Sequence, residues 1–366
     1  MTACLFLVCS LALANLAPST QSKDPSTLDQ ISTAAQAARD QNQDDDAIRL
    51  FRKGLKIKPD WDEGLWYLGT MLYEREQFAE SRDLLRRFVA QNGTSGPGWA
   101  ILGLSEYHTR EYRRSLEHLQ KSRDYGLGDR KELANSVYYV VAVLLTRFEQ
   151  YDDAMTLLFQ MKSEGYQEEL LLEPLGLASV RLPFLPSEIP ADRRKMVRMA
   201  GAGSLAVAGG RREEAEKIFH DIIDAYPKEP GVHFLLGALL LNVRPEDGIK
   251  EMERELQISP SHVAARLRLA QEYARQQNFD AALPLAKEAL HLDPQDFSCH
   301  MVLGEVLVGK ADLTGGIQEL ETARDRAPEL ARIRWDLVRA YNQAGRESDA
   351  NREKKAIEKL SAPNPE

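Results

Sequence analysis

The sequence predicts an all-α chain built as a linear array of paired helices. Three observations point there. A small residue recurs at Ala47, Ser81, Ser115, Ala154, Ala215, Gly248, Ala282, Gly316 and Ala350, with spacings of 34, 34, 39, 61, 33, 34, 34 and 34. A Leu-Gly pair recurs ahead of it, at Leu68-Gly69, Leu102-Gly103, Leu236-Gly237 and Leu303-Gly304, with Leu269-Ala270 as a variant. Strand-like alternation is nearly absent, and aromatic residues make up only 7%, so no sheet competes for these segments.

Composition sets the outer bounds. At 366 residues the chain is too long for one ordinary globular core. A hydrophobic content of 43% excludes broad disorder, and 28% charged residues suit helices with one solvated face. The net charge is −9 and the pI about 5.5. A phosphate-backbone binder would carry a basic stripe, so no nucleic-acid partner is expected. Of the three cysteines, Cys4 and Cys9 lie in an N-terminal apolar segment and only Cys299 lies beyond it. Neither a disulfide framework nor a Cys-rich metal site is expected.

Taken in order, residues 1–14 read as a signal peptide. The apolar run 3–14 ends in Ala12-Leu13-Ala14, an A-x-A cleavage pattern. The run is too short to span a bilayer comfortably. No Lys or Arg precedes it, which leaves an uncleaved anchor or a buried helix as alternatives. Residues 15–27, with Pro18 and Pro25, read as a flexible leader. The chain is therefore expected to be exported, periplasmic or extracellular, with no membrane insertion after cleavage.

Residues 28–168 read as a first array of about four units and residues 196–360 as a second of about five, with 361–366 as a tail. The unit pattern is plainest in residues 278–294, NFDAALPLAKEALHLDP. Ala282, Ala286 and Ala289 share one helical face, and Pro294 closes the unit. One turn after each small residue comes a larger one: Phe51, Leu85, Leu119, Leu158, Phe219, Met252, Ala286 and Leu320. The small residue admits a neighbouring helix closely and the large one buries against it. Pro59, Pro227, Pro260, Pro294 and Pro328 follow twelve residues after the small residue. Proline lacks an N–H and disfavours helix in the residue before it, so each ends a unit. The glycine of the Leu-Gly pair costs about 1 kcal/mol in a helix interior relative to alanine. Close packing of the paired helix is the usual compensation.

A period of 34 with Leu-Gly in the first helix, small-x-x-x-large in the second and a closing Pro resembles the tetratricopeptide repeat (TPR). The resemblance covers roughly residues 28–168 and 196–360, and it is to exported, bacterial-type members. Units two to four lack the closing Pro, the fifth carries GAGSLAVAGG, and the ninth has Lys354 where the large residue belongs. That last departure suits a capping helix, whose outer face no further repeat covers. The resemblance implies a right-handed helix-turn-helix solenoid of about nine units.

The 61-residue spacing marks an apolar, Pro-rich insert at residues 169–195. Pro174, Pro183, Pro186 and Pro190 preclude one long helix, and the run is too apolar for a solvated linker. It is expected as a short helix plus an extended segment packed over the array. A mobile hinge and an apolar docking segment are the alternatives.

No nucleotide loop, zinc-protease, hydrolase-elbow or EF-hand signature is present in the sequence. The seven histidines are scattered, and adjacent Cys299-His300 point about 100° apart on a helix, so they cannot chelate one metal alone. No catalytic residues, cofactor or metal are expected, and the chain is not expected to be an enzyme.

What remains is a surface. The resemblance implies that the first helices line a concave groove, toward which Trp66, Tyr73, Tyr107, Tyr139, Arg147, Phe234, Asn242, Arg275, Trp335, Arg339 and Asn342 face. Aromatic and Arg side chains carry much of the energy at interfaces, and Arg pairs bidentately with carboxylates. The expected function is a non-catalytic scaffold that binds a protein or an extended peptide in this groove. The alternative is a permanent structural subunit of an envelope assembly or secretion complex. Oligomeric state is not readable from the sequence.

Overall fold

The computed structural model describes residues 27–361. The expected signal peptide, and nearly all of the leader and tail, lie outside the described residues. Within them are nineteen α-helices and no strand. Four helix pairs come first: α1 (Leu28–Asp40) with α2 (Asp44–Ile57), α3 (Asp62–Glu74) with α4 (Phe78–Gln91), α5 (Gly96–His108) with α6 (Tyr112–Tyr125), and α7 (Lys131–Arg147) with α8 (Tyr151–Ser163). A single helix, α9 (Glu168–Ser179), and a 3-10 turn at Pro186–Glu188 follow. Five pairs complete the chain: α10 (Ala191–Ala208) with α11 (Arg212–Ala225), α12 (Val232–Leu240) with α13 (Pro245–Ile258), α14 (Val263–Arg275) with α15 (Phe279–Leu292), α16 (Phe297–Gly309) with α17 (Leu313–Arg326), and α18 (Ala331–Gln343) with α19 (Glu347–Ser361). This helix order is roughly consistent with the expected nine units. Contacts divide the chain into two compact units, one ending at Val137 and one beginning at Tyr138, inside α7.

In the first unit the core runs through Ile31, Phe51, Leu65, Leu72, Leu85 and Leu102. Trp61 lies across Gly54 and Gly64, where any Cβ would collide with its ring. In the second unit, buried clusters run from Leu177 through Phe219 and Leu236, around Met252 and Leu269, and from Leu267 through Val302 and Leu337 to Ile357.

The repeat pattern has a direct mechanical explanation. The nine small residues of the pattern are all buried. A Cβ on Gly69 would meet Leu85 at 2.8 Å, one on Gly103 Leu119 at 2.7 Å, one on Gly304 Leu320 at 2.7 Å and one on Gly237 Met252 at 3.1 Å. Gly203, inside GAGSLAVAGG, meets Phe219 in the same way. Each first-helix glycine is thus the socket for the large residue of its own second helix. Where the socket is Ala270, the large position is Ala286, and both are fully buried. The small hydroxyls bond across as well: Ser81 Oγ donates to Gly69 O and Ser115 Oγ to Gly103 O, each at 2.7 Å.

Helix ends follow the prolines. α2, α11, α13, α15 and α17 stop two residues before Pro59, Pro227, Pro260, Pro294 and Pro328. The residue before each leaves helical ψ: 95° at Lys58, 55° at Tyr226, 80° at Ser259, 85° at Asp293 and 67° at Ala327. α6, which lacks that Pro, ends at Gly126 with φ 82°, and Gly165, with φ 91°, follows α8.

The irregular spacings are legible too. The 39-residue spacing is taken up by the 17-residue α7 and the segment before it. The 33-residue spacing belongs to α12, only nine residues long. Its turn into α13 lacks the left-handed residue that ends α1, α3, α5, α7, α14 and α16.

The 61-residue spacing holds α9. It ends as the first helices do, with Arg181 in the left-handed region (φ 55°) and its N–H bonded to Ala178 O. No second helix follows; α10 takes its place against α9. Gly176 and Gly201 let the two backbones approach so closely that a Cβ on either would strike the other's carbonyl. The insert thus contributes a helix to the array itself, followed by the extended residues 182–185.

Candidate partner-binding surfaces

The eleven groove candidates separate into groups. In the first unit, Trp66 packs on Phe88 (5.2 Å between ring centroids), Tyr73 on Phe78 (5.5 Å) and Tyr107 on Tyr112 (5.9 Å). All three rings are half-buried and fill space between first and second helices.

In the second unit, Tyr139 is half-buried, and burial together with the charge of Glu173 pushes its hydroxyl up to about 12. Arg147 donates to Pro183 O at 2.7 Å and approaches Glu188 at 3.8 Å, tying α7 to the segment after α9. Phe234 and Asn242 line one cavity, and Arg275 and Arg339 line another. Trp335, half exposed, and exposed Asn342 lie on α18.

The cavity that holds Arg275 and Arg339 is a cleft of about 480 Å³ across three successive first helices, α14, α16 and α18. Its acids and bases are unequally placed. Arg275, Arg332 and Arg339 are 62%, 63% and 70% exposed at the side chain. Their partners Glu272, Glu305 and Asp336 are 6%, 19% and 5% exposed. Two buried carboxylates and the half-buried Glu305 therefore hold guanidinium groups that face outward with donors to spare. Burial, then the neighbouring Asp336 charge, pushes the Glu305 carboxyl up to about 7, against the opposing pull of Arg332. Asp336 Oδ2 is buried without a donor.

Sequence reasoning missed these acids, and it missed order among the histidines. His233 bonds Glu251 at 2.6 Å and His300 bonds Glu319 at 2.7 Å, each joining the two helices of one pair. Arg334 and Glu353 stand in the same relative positions in the last pair. The signal was present: a basic residue four before the socket position and an acid three after the small residue. Cys299 is fully buried, and burial pushes its thiol up to about 12. Among the described residues no three metal-binding side chains gather, and no helix is long and apolar enough to cross a membrane.

Residues 32–97, 242–297 and 267–331 match the tetratricopeptide repeat family model. Over those residues the chain is similar to tetratricopeptide repeats. TPR arrays generally bind proteins or peptides. No curated protein matches the chain in sequence. Similar solved structures include a MamA RS-1 ArsTM double mutant (19% identity, covering 46% of this chain and 95% of that one, TM-score 0.42). They also include MamA 41-end from Desulfovibrio magneticus RS-1 (19%, 46% and 96%, TM-score 0.42) and MamA AMB-1 (23%, 43% and 95%, TM-score 0.38).

Proposed function

We propose that this chain is a non-catalytic scaffold that binds an extended, acidic peptide segment of a partner protein in the cleft across α14, α16 and α18. The observation that carries the reading is the outward-facing arginine set, Arg275, Arg332 and Arg339, held by less exposed acids on consecutive repeats. Arginines fixed in this way lose little conformational freedom on binding carboxylates. Trp335, 51% exposed on α18, adds an aromatic anchor of the kind that dominates interface energies.

The test is affinity capture with the wild-type chain beside an Arg275→Ala/Arg339→Ala/Trp335→Ala variant of matched helicity and melting. A partner held by the wild type and lost from the variant supports the cleft. A partner held equally by both places binding elsewhere. We also propose export, on the strength of the apolar run 3–14 and its Ala12-Leu13-Ala14 end. A fusion of residues 1–40 to a reporter active only after export tests it, and an inactive fusion sinks the idea.

A further inference from the structure

A second cavity, of about 330 Å³, opens in the second unit among α8, α9, α10, α11, α12 and α14. Its size falls at the lower end of pockets that hold small organic ligands. Apolar side chains that are not fully buried converge on it: Met155, Phe159, Val207, Phe234 and Leu239. Its charged lining is one-sided. Arg181, Arg212 and Arg268 stand against a single acid, Asp152.

That acid is already engaged. Arg181 Nη2 lies 3.1 Å from both oxygens of Asp152. The Arg181 guanidinium carbon lies 5.3 Å from the Tyr151 ring centre and 5.6 Å from that of Phe234. Its Nε is buried and donates to nothing. Arg212 and Arg268 are exposed and have no ion-pair or hydrogen-bond partner among the described residues. Nearby His262 adds no charge at neutral pH, because burial and the Arg181 charge pull it down to about 4. In a chain of net charge −9, two unpaired arginines and an orphaned donor around an apolar recess form a local positive site.

We propose that this cavity binds a small apolar carboxylate: an alkyl or aryl group seated against Phe159 and Phe234, with its acid group at the arginines. The apolar part gains by burial, and the carboxylate supplies the acceptor that Arg212 and Arg268 lack.

The test is calorimetric titration of the full chain with decanoate below its micelle concentration, beside decanol and decylamine. Decanoate binds saturably at one site, decanol about tenfold more weakly or worse, and decylamine not at all. Arg212→Ala/Arg268→Ala, which breaks no existing contact, weakens decanoate about tenfold. Val207→Trp, at a 43% exposed position, fills the recess and abolishes binding with the arginines intact. Arg275→Ala/Arg339→Ala leaves decanoate binding unchanged, which separates this site from the cleft. The proposal is overturned if decanoate does not saturate, if decanol binds equally well, or if either the double arginine variant or Val207→Trp binds decanoate like the wild type. A peptide that binds here while decanoate does not would make the cavity a peptide subsite instead.

Discussion

Ala311 shows how much the repeat asks of single residues. It sits at φ 64° in the turn between α16 and α17, in the left-handed region where a Cβ meets backbone. Gly210 and Gly345 occupy the corresponding turns of other units at φ 71° and 72°. The left-handed penalty exceeds the entropy that an alanine saves in the unfolded chain. Ala311→Gly is therefore expected to stabilise the protein by about 0.5–1 kcal/mol, read as a higher urea midpoint at unchanged slope. His262 makes a demand of another kind. Its Nδ1 accepts from Ala265 N at 3.2 Å, capping α14, which requires that nitrogen to be unprotonated. Burial, with the Arg181 charge, lowers its folded pKa from 6.5 to about 4. Between those values the unfolded chain binds more protons than the folded one. Its stabilising share is therefore complete above about pH 6.5 and is lost as pH falls toward 4, by about 2–3 kcal/mol. His262→Asn keeps a capping acceptor without the titration. Unfolding free energies at pH 6.5 and 4.5 should then differ less in the variant; an equal difference would rule His262 out as the source.

Two helices become one element through the socket between them, and that coupling is measurable. Gly103→Ala pushes a methyl against Leu119 and is expected to cost about 1–3 kcal/mol. Leu119→Ala empties a fully buried site and costs about 2–5 kcal/mol. Together they recreate the Ala270–Ala286 pair that the fourteenth and fifteenth helices already use. The double variant should be more stable than the sum of single losses implies, by about 1 kcal/mol or more. Strict additivity would mean that the glycine serves only backbone geometry. This is also where sequence reading succeeded and failed. The pairs were legible because Gly69, Leu85 and Pro59 each obey a local steric rule at a fixed spacing. α9 was only half legible, expected as a short helix covering the array. Pro174 deprives only the carbonyl of Leu170, which lies in the first turn with its side chain 48% exposed, so the helix tolerates it. The arginine cleft was legible as Arg275 and Arg339, but not as Glu305 and Asp336. Asp336 and Arg339 are three residues apart, but the pairing of Arg332 with Glu305 joins residues 27 apart, which no local pattern announces. The cavity beside α9 was hidden for the same reason: Arg181 meets Asp152 and Phe234 only after the odd helix is in place.

At the scale of the molecule, the helices within each compact unit pack chiefly on their sequence neighbours, and stability there is a sum of local interfaces more than one shared core. The ninth pair departs from the others. Glu353, 2% exposed, takes bonds from Arg324 and Arg334, while Lys354 faces solvent where other units bury a large residue. In such a structure, damage should stay near its origin. Leu320 fills the socket over Gly304 at the centre of the α16–α17 interface. Leu320→Ala should cost about 2–5 kcal/mol of local stability. Amide exchange should accelerate in α16, α17 and α18 and keep its wild-type rate in α10, α11 and α12 of the same compact unit. A uniform acceleration across that unit would instead show that it opens as one cooperative body. The cleft across α14, α16 and α18 would then form or vanish as a whole, and a partner bound there would stabilise α10 as much as α18. Local acceleration means the opposite. Binding energy at the cleft protects only the repeats that form it, and the cavity beside α9 can be occupied or emptied without the cleft registering the change.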